Sequence, residues 1–397
     1  MQLGWVDFSK TERNKILNVL DLLGEQGVLD ELGIASIRDG FANLFFPGTT
    51  TIQTRAKYFL IVPYIFKDLE LNSQKDYHKL KKELNDKEQD CAGKFIDYGY
   101  VDGVIGRVSI NNKKWVKRTP ASIYWAGLRQ YHIFKDTITI DQYLKSIAYR
   151  KTVKDNVSKL GNRNDNPDES DDKDAGNLSS IHFLNIPTYK KDWIENLDMA
   201  LTKEEGAFLK EQIIKTCEGS LLSYILKENM REVLELDSFS DLNSLMFKFP
   251  EDIVNDYKRA KSFSDFVFVL RVLYNVIASD GKNKKANNYI NQFKPHFKEL
   301  SDVDLESIFY LLTINDIQLK SFLLKAQELM ENEDIDALKL LIKNREISLK
   351  GENRSKTCHP GEFGDKWLAG GPLDYRFTVA KRIIKDIFES EEKEDDD

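Results

Sequence analysis

Apolar positions recur at helical spacing along most of the chain, broken by proline, glycine and acidic runs. Leu3–Phe8 reads as a short strand. Ser9 and Glu12 then form a capping box for a helix carrying Ile16, Leu17, Val19, Leu20 and Leu23, which Gly24 or Gly27 can end. A second helix is predicted over Ser36–Phe45, with Ile37, Phe41, Leu44 and Phe45 on one side. Phe46-Pro47-Gly48-Thr49 next places proline and glycine where a type II turn needs them. Thr49, Thr50 or Thr51 is positioned to cap a third helix, which should stop near Val62 because proline at 63 disfavours helical geometry in the residue before it.

Lys67–Gln89 is polar and reads as a solvated helix and loop. Between Phe95 and Val116, apolar residues set among Gly99, Gly103 and Gly106 predict either one or two strands or an irregular glycine-rich loop. Helices follow over Ser122–Phe134 and Ile140–Lys154. Gly161–Ser180 has no aromatics and many Asn, Asp and Ser, the composition of a linker or disordered loop. Seven helices are then predicted: Glu204–Cys217, Ser220–Leu236, Asp252–Ala260, Phe263–Ala278, Asp304–Thr313, Ile317–Glu331 and Ile335–Lys343. They share no constant period, which favours a bundle over a solenoid. A glycine and proline-rich loop through Cys358, His359 and Gly370-Gly371-Pro372 leads into a last helix over Arg376–Phe388.

The predicted fold is mainly α. An N-terminal helical module with a small β or glycine-rich element spans 1–160, and an acidic linker or loop spans 161–180. A helical bundle follows over 181–346, a glycine/proline-rich loop and closing helix over 347–388, and an acidic tail over 389–397. At 397 residues at least two cores are expected, and an apolar fraction of 41% with 23 Phe and 16 Tyr excludes global disorder.

The formal charge of -7 is unevenly placed. Gly161–Ser180 contributes -4 and Glu389–Asp397 contributes -6, so the remainder stands at +3 and the bulk acidity says little about partners. Cys91, Cys217 and Cys358 lie far apart with no metal-ligand spacing, which argues against a disulfide scaffold, a zinc cluster or any bound metal. No leader-like N-terminus and no long apolar run occurs, so no membrane association and a cytoplasmic, reducing location are expected.

The first candidate site is the turn at Gly48, Thr49, Thr50 and Thr51 with Arg55 and Lys57, where a helix N-terminus and basic side chains would receive a nucleic-acid phosphate. The alternative is that the threonines only cap a core helix and Arg55 pairs with a carboxylate such as Asp39. The second is the basic, aromatic stretch Lys113–Arg129, where Trp115, Tyr124 and Trp125 could stack on bases beside Lys117, Arg118 and Arg129. Its alternative is a solvated strand followed by a core helix. Neither GxxxxGK[ST] nor GxGxxG is present, so no cofactor is expected. Adjacent Cys358 and His359 are poorly placed to act together, and no residue is singled out as catalytic.

Gly4-Trp5-Val6-Asp7-Phe8-Ser9, the run Ile37–Phe66, SIYWAGLR (Ser122–Arg129) and LDYRFTVAK (Leu373–Lys381) together resemble the prokaryotic domain-of-unknown-function family numbered 6361. That resemblance implies a bacterial defence-island setting near helicase and phospholipase D-like nuclease genes, and supplies no catalytic residues. The expected function is a non-catalytic component of a multi-protein antiphage defence system that binds DNA or RNA or bridges to such a helicase or nuclease. The alternatives are an enzyme with an undetected nuclease-like active site and a pure protein scaffold.

Overall fold

The computed structural model describes residues 30–112, 115–161 and 183–393. The strand and first helix predicted before Gly27, Lys113, Lys114, nearly all of the 161–180 segment and the end of the acidic tail lie outside those residues.

The fold is mainly α. Helices α1 (Ala35–Phe45), α2 (Tyr58–Leu71), α3 (Tyr77–Asp97), α4 (Arg107–Asn111), α5 (Pro120–Gln130) and α6 (Ile140–Gly161) come first. After the undescribed segment come α7 (Lys203–Thr216), α8 (Leu221–Lys227), α9 (Glu251–Ala278), α10 (Lys284–Phe293) and α11 (Phe297–Ser301). The series ends with α12 (Leu305–Leu311), α13 (Ile317–Glu331), α14 (Ile335–Lys350) and α15 (Phe377–Glu391). Among the described residues no strand forms, and one antiparallel bridge joins Phe134 and Leu184. The small β element is therefore not present there, and the glycine-rich alternative holds. Gly99, Gly103 and Gly106 all take positive φ and lead from α3 into the short α4. Among the described residues no helix is long and apolar enough to cross a membrane.

The helices form two compact units that interleave along the chain. One unit takes the residues up to Phe45 together with Leu236–Phe377, and the other takes Phe46–Glu235 together with the chain from Thr378 onward. The sequence reading divides the chain consecutively instead.

In the first unit α9 is the spine, with α10, α11 and α14 packed on it. It runs unbroken where the sequence suggests two helices, because Ala260 and Phe263 are both buried and no proline or glycine separates them. Phe41, Phe45 and Phe239 surround the ring of Tyr375 at centroid distances of 5.4, 6.3 and 4.9 Å. The Tyr375 hydroxyl donates to the Ala260 carbonyl at 2.7 Å, which holds the left-handed backbone of Tyr375 and Arg376 (φ 48 and 67) against its steric cost. Fully buried Glu346 accepts from Tyr274 Oη (2.7 Å), Thr357 N (3.0 Å), Thr357 Oγ1 (2.8 Å) and Lys350 Nζ (3.2 Å). Burial alone would raise its pKa, and these donors outweigh burial and bring it below the usual value.

In the second unit α2 is the central helix, and every residue from Tyr58 to Phe66 is buried. A helix apolar on all sides belongs inside a core. This corrects the predicted stop at Val62: Pro63 sits within α2, and the helix continues to Leu71. An interior proline costs about 3 kcal/mol, whereas each large apolar side chain buried stabilises by roughly 1.5–3 kcal/mol, so burial wins. Helices α3 and α5 pack on α2. The approach of α5 depends on Gly127, where a Cβ would fall 2.5 Å from the Gly48 carbonyl oxygen and 2.7 Å from the Phe59 ring.

Glu88 on α3 is 1% exposed and accepts from the Ala121 N–H, in the first turn of α5, at 2.6 Å. Among the described residues its Oε2 has no hydrogen-bond partner. Burial outweighs that hydrogen bond and pushes the Glu88 carboxyl up to about 7 from an ordinary 4.5. An acid whose folded pKa lies above its unfolded one imposes no penalty below the unfolded value and a growing one as pH rises to the folded value. The protein should therefore lose about 3 kcal/mol relative to Glu88→Gln between pH 4.5 and pH 8. Urea unfolding of both proteins across that range would check this, and parallel pH profiles would rule out a buried, titrating Glu88.

Candidate functional site

The predicted phosphate loop is local, and its chemistry turns inward. The Pro-Gly turn forms as expected: Gly48 has φ 80 and the Thr49 N–H donates to Phe46 O at 3.2 Å. The threonines do not cap a helix. Thr49 is buried with its hydroxyl on Phe46 O at 2.6 Å, the Thr50 N–H goes to Gln53 Oε1 at 3.1 Å, and Thr51 is exposed. Helix α2 starts later, at Tyr58, with Lys57 as its N-terminal flanking residue and no side-chain cap. The local reason is Gln53, which spans the loop by donating back to Gly48 O at 3.1 Å.

Arg55 and Lys57 both meet carboxylates. Lys57 Nζ lies 2.6 Å from Glu205 Oε2, with both side chains under 10% exposed. Glu205 also accepts from Tyr64 Oη at 3.4 Å and completes a capping box with Thr202 at the start of α7. Arg55 grips Asp386 on α15 through Nε at 2.9 Å and Nη2 at 2.8 Å, and the Ala56 N–H donates to the same carboxylate at 2.7 Å. Arg55 therefore pairs with Asp386, while Asp39 pairs with Arg38 at 3.1 Å and Arg376 at 3.5 Å. Burial lifts the Asp386 pKa above its ordinary value despite the guanidinium beside it. The backbone at Thr54 and Arg55 is fixed by Tyr124, whose buried hydroxyl accepts from both N–H groups at 2.9 and 3.1 Å.

Beside this pair lies a cleft of about 460 Å³, walled by Arg55 and by Lys381, Arg382 and Lys385 of α15, with Asp102, Asp386 and Glu389 also on the wall. Arg55 is the only sequence-predicted residue among these. Lys381 and Lys385 are one turn apart on the polar side of a helix whose Ile383, Ile384, Ile387 and Phe388 are buried. The same spacing is visible in the sequence, where it passes for a solvated face before an acidic tail. The start of that tail is itself folded: Glu391 meets Lys210 at 2.7 Å and Arg231 at 2.9 Å.

The second predicted site separates. Lys117 and Arg118 are exposed, whereas Arg129 is half-buried on α5 and donates to the Thr137 carbonyl at 3.3 Å. Two of the three rings offered for stacking, Tyr124 and Trp125, belong to the core, and Trp115 is half-buried. Tyr124 is fully buried, the buried Trp125 donates to Ile138 O at 3.2 Å, and Trp115 packs where a Cβ on Gly106 would stand, 2.5 Å from its ring. Core packing of α5 decides this, because an aromatic at a buried helical position cannot also face a ligand. Cys358 is a half-buried free cysteine, and His359 Nδ1 lies 3.8 Å from Glu362. Among the described residues no three His, Cys, Asp or Glu side chains are arranged to hold a metal ion.

No curated protein and no solved structure matches the chain. A family model does: the family of unknown function DUF6361 matches residues 1–323. That stretch holds the turn, α2 and α5, together with Arg55 and Lys57, but ends before α15 and the three basic residues of the cleft. The match covers most of the sequence, and the chain is a member of the DUF6361 family.

Proposed function

We propose that this chain is a non-catalytic, nucleic-acid-binding component of a multi-protein bacterial antiphage system, with helicase or nuclease chemistry supplied by partner chains. The carrying observation is the cleft, where Lys381, Arg382 and Lys385 stand along one helix beside a guanidinium already fixed by Asp386. A row of cations one turn apart follows a phosphate backbone, and binding of that kind is sequence-independent and salt-sensitive. The +3 balance left after the two acidic segments are set aside supports the same reading, although Glu389 at the start of the second segment meets Lys385 at 3.6 Å on the cleft wall. The defence setting is supported by the family resemblance.

Mobility shift with DNA and RNA at low salt tests it. The double variant Lys381→Ala, Lys385→Ala should weaken binding about tenfold or more and flatten the dependence of log K on log salt by roughly 0.7–0.9 for each phosphate no longer neutralised. Arg55→Ala is not the informative variant here, because it also removes a buried ion pair. Absence of nucleic-acid binding by the wild-type protein at low salt would overturn the proposal.

A further inference from the structure

The glycine and proline-rich segment before α15 carries a feature that the cleft does not explain. Trp367 in that segment, Phe268 on α9, and Tyr289 and Phe293 on α10 form one ring cluster in the first unit. Phe268 lies 5.3 Å from Tyr289 and 5.6 Å from Phe293, and Trp367 lies 6.0 Å from Tyr289. Tyr289 and Phe293, four residues apart on α10, stack at 5.7 Å with planes 23° apart. None of the four is fully buried.

The platform is held rigidly. Buried Asn283 donates to Asp365 O at 2.8 Å, and its Oδ1 accepts from Ala286 N at 2.9 Å, so one side chain caps α10 and anchors the segment. Buried Asn275 on α9 accepts from Leu368 N at 2.6 Å. Trp367 is thus tied down on both sides by asparagines of the unit's own core. Over its face stands Lys285 Nζ, 5.2 Å from the Trp367 ring and 6.0 Å from Tyr289. Lys284 and Lys366 are exposed alongside.

We propose that these rings are a stacking platform for single-stranded nucleic acid, with one base lying on the face of Trp367, the Tyr289 ring, its plane 69° away, standing against the edge of that base, and Lys284, Lys285 and Lys366 meeting the flanking phosphates. An exposed ammonium over a ring is worth about 2- to 5-fold in an equilibrium, whereas a stacked base is worth about 5- to 150-fold. A base therefore displaces Lys285 from the ring face, and the freed ammonium turns to the phosphate. Duplexes keep their base faces occupied, which makes the single strand the favoured ligand. The proposal deepens the nucleic-acid reading but uses residues that the cleft does not.

The test is fluorescence anisotropy of the full chain with a labelled oligothymidylate and, separately, a duplex of equal length. Trp367→Ala should weaken oligothymidylate binding about 5- to 150-fold with little change in the salt slope, whereas Trp367→Phe should retain most of it and shows that loss of the ring, not of the fold, is responsible. Duplex affinity should change little in either variant. Wild-type affinity for the oligothymidylate in Trp367→Ala would overturn the platform. If Lys381→Ala, Lys385→Ala is weakened while Trp367→Ala is not, the cleft reading stands and the platform falls. The reverse pattern keeps the platform and removes the cleft. No binding by the wild-type chain overturns both.

Discussion

Replacing Lys57 with alanine should lower the stability of the unit built on Phe46–Glu235 by about 3–5 kcal/mol, among the largest effects of any single change at a charged residue. The reason is what remains. Glu205 keeps a neutral hydrogen bond from Tyr64, at 3.4 Å, and the N–H of Thr202, at 2.9 Å, but loses the only cation within ion-pair distance of it, at 2.6 Å, among the described residues. Its side chain is 8% exposed, so water cannot replace the ammonium. Removing both charges should cost much less than removing one. The pair Lys57→Met, Glu205→Gln keeps the volume and should recover most of the loss in urea unfolding monitored by circular dichroism. A single variant losing under about 1 kcal/mol would show that the site relaxes to admit water.

Arg55→Ala should be nearly as severe, at about 3 kcal/mol at pH 8, and its effect should depend on pH. Asp386 is 3% exposed at its side chain and would keep, among the described residues, only the Ala56 N–H. Burial already holds its pKa above the ordinary value with the guanidinium present, and the variant raises it further. An aspartate in that condition destabilises the fold little near its unfolded pKa and increasingly as pH rises through its folded one. The deficit relative to wild type should accordingly shrink on going from pH 8 to pH 5. Arg55→Lys should not rescue it, since an ammonium cannot offer the two parallel donors that span this carboxylate. A deficit equal at both pH values would mean that Asp386 becomes solvated once Arg55 is gone.

Both predictions concern residues that the sequence brings forward for the wrong reason. Arg55 and Lys57 stand out because they follow a Pro-Gly turn, and a turn before an apolar run suggests an exposed helix start. Their partners lie 331 and 148 residues away, beyond any window in which spacing carries information. Where the deciding physics is local, the reading succeeds. The second helix lies within one residue of its predicted start, and the Gly48 turn takes its predicted φ. Pro63 fails as a stop signal because the penalty is local and the compensation is not: α2 is surrounded by α3 and α5, neither of which is visible from Val62. The cleft is half legible for the same reason, since the pattern predicts α15 as a helix while its basic ridge is lost among surface lysines.

The interleaved order of the two units sets a timetable for synthesis. Asp386 leaves the ribosome 331 residues after the arginine it neutralises, a wait of roughly 15–70 s at ordinary elongation rates. Throughout that interval the nascent chain carries Arg55 and the face that α15 will cover without their partners. The unit can close only once its last helix emerges, so its final consolidation is a late step in biogenesis. Translational pausing near the 3′ end of the message would prolong exposure of that surface to chaperones and proteases.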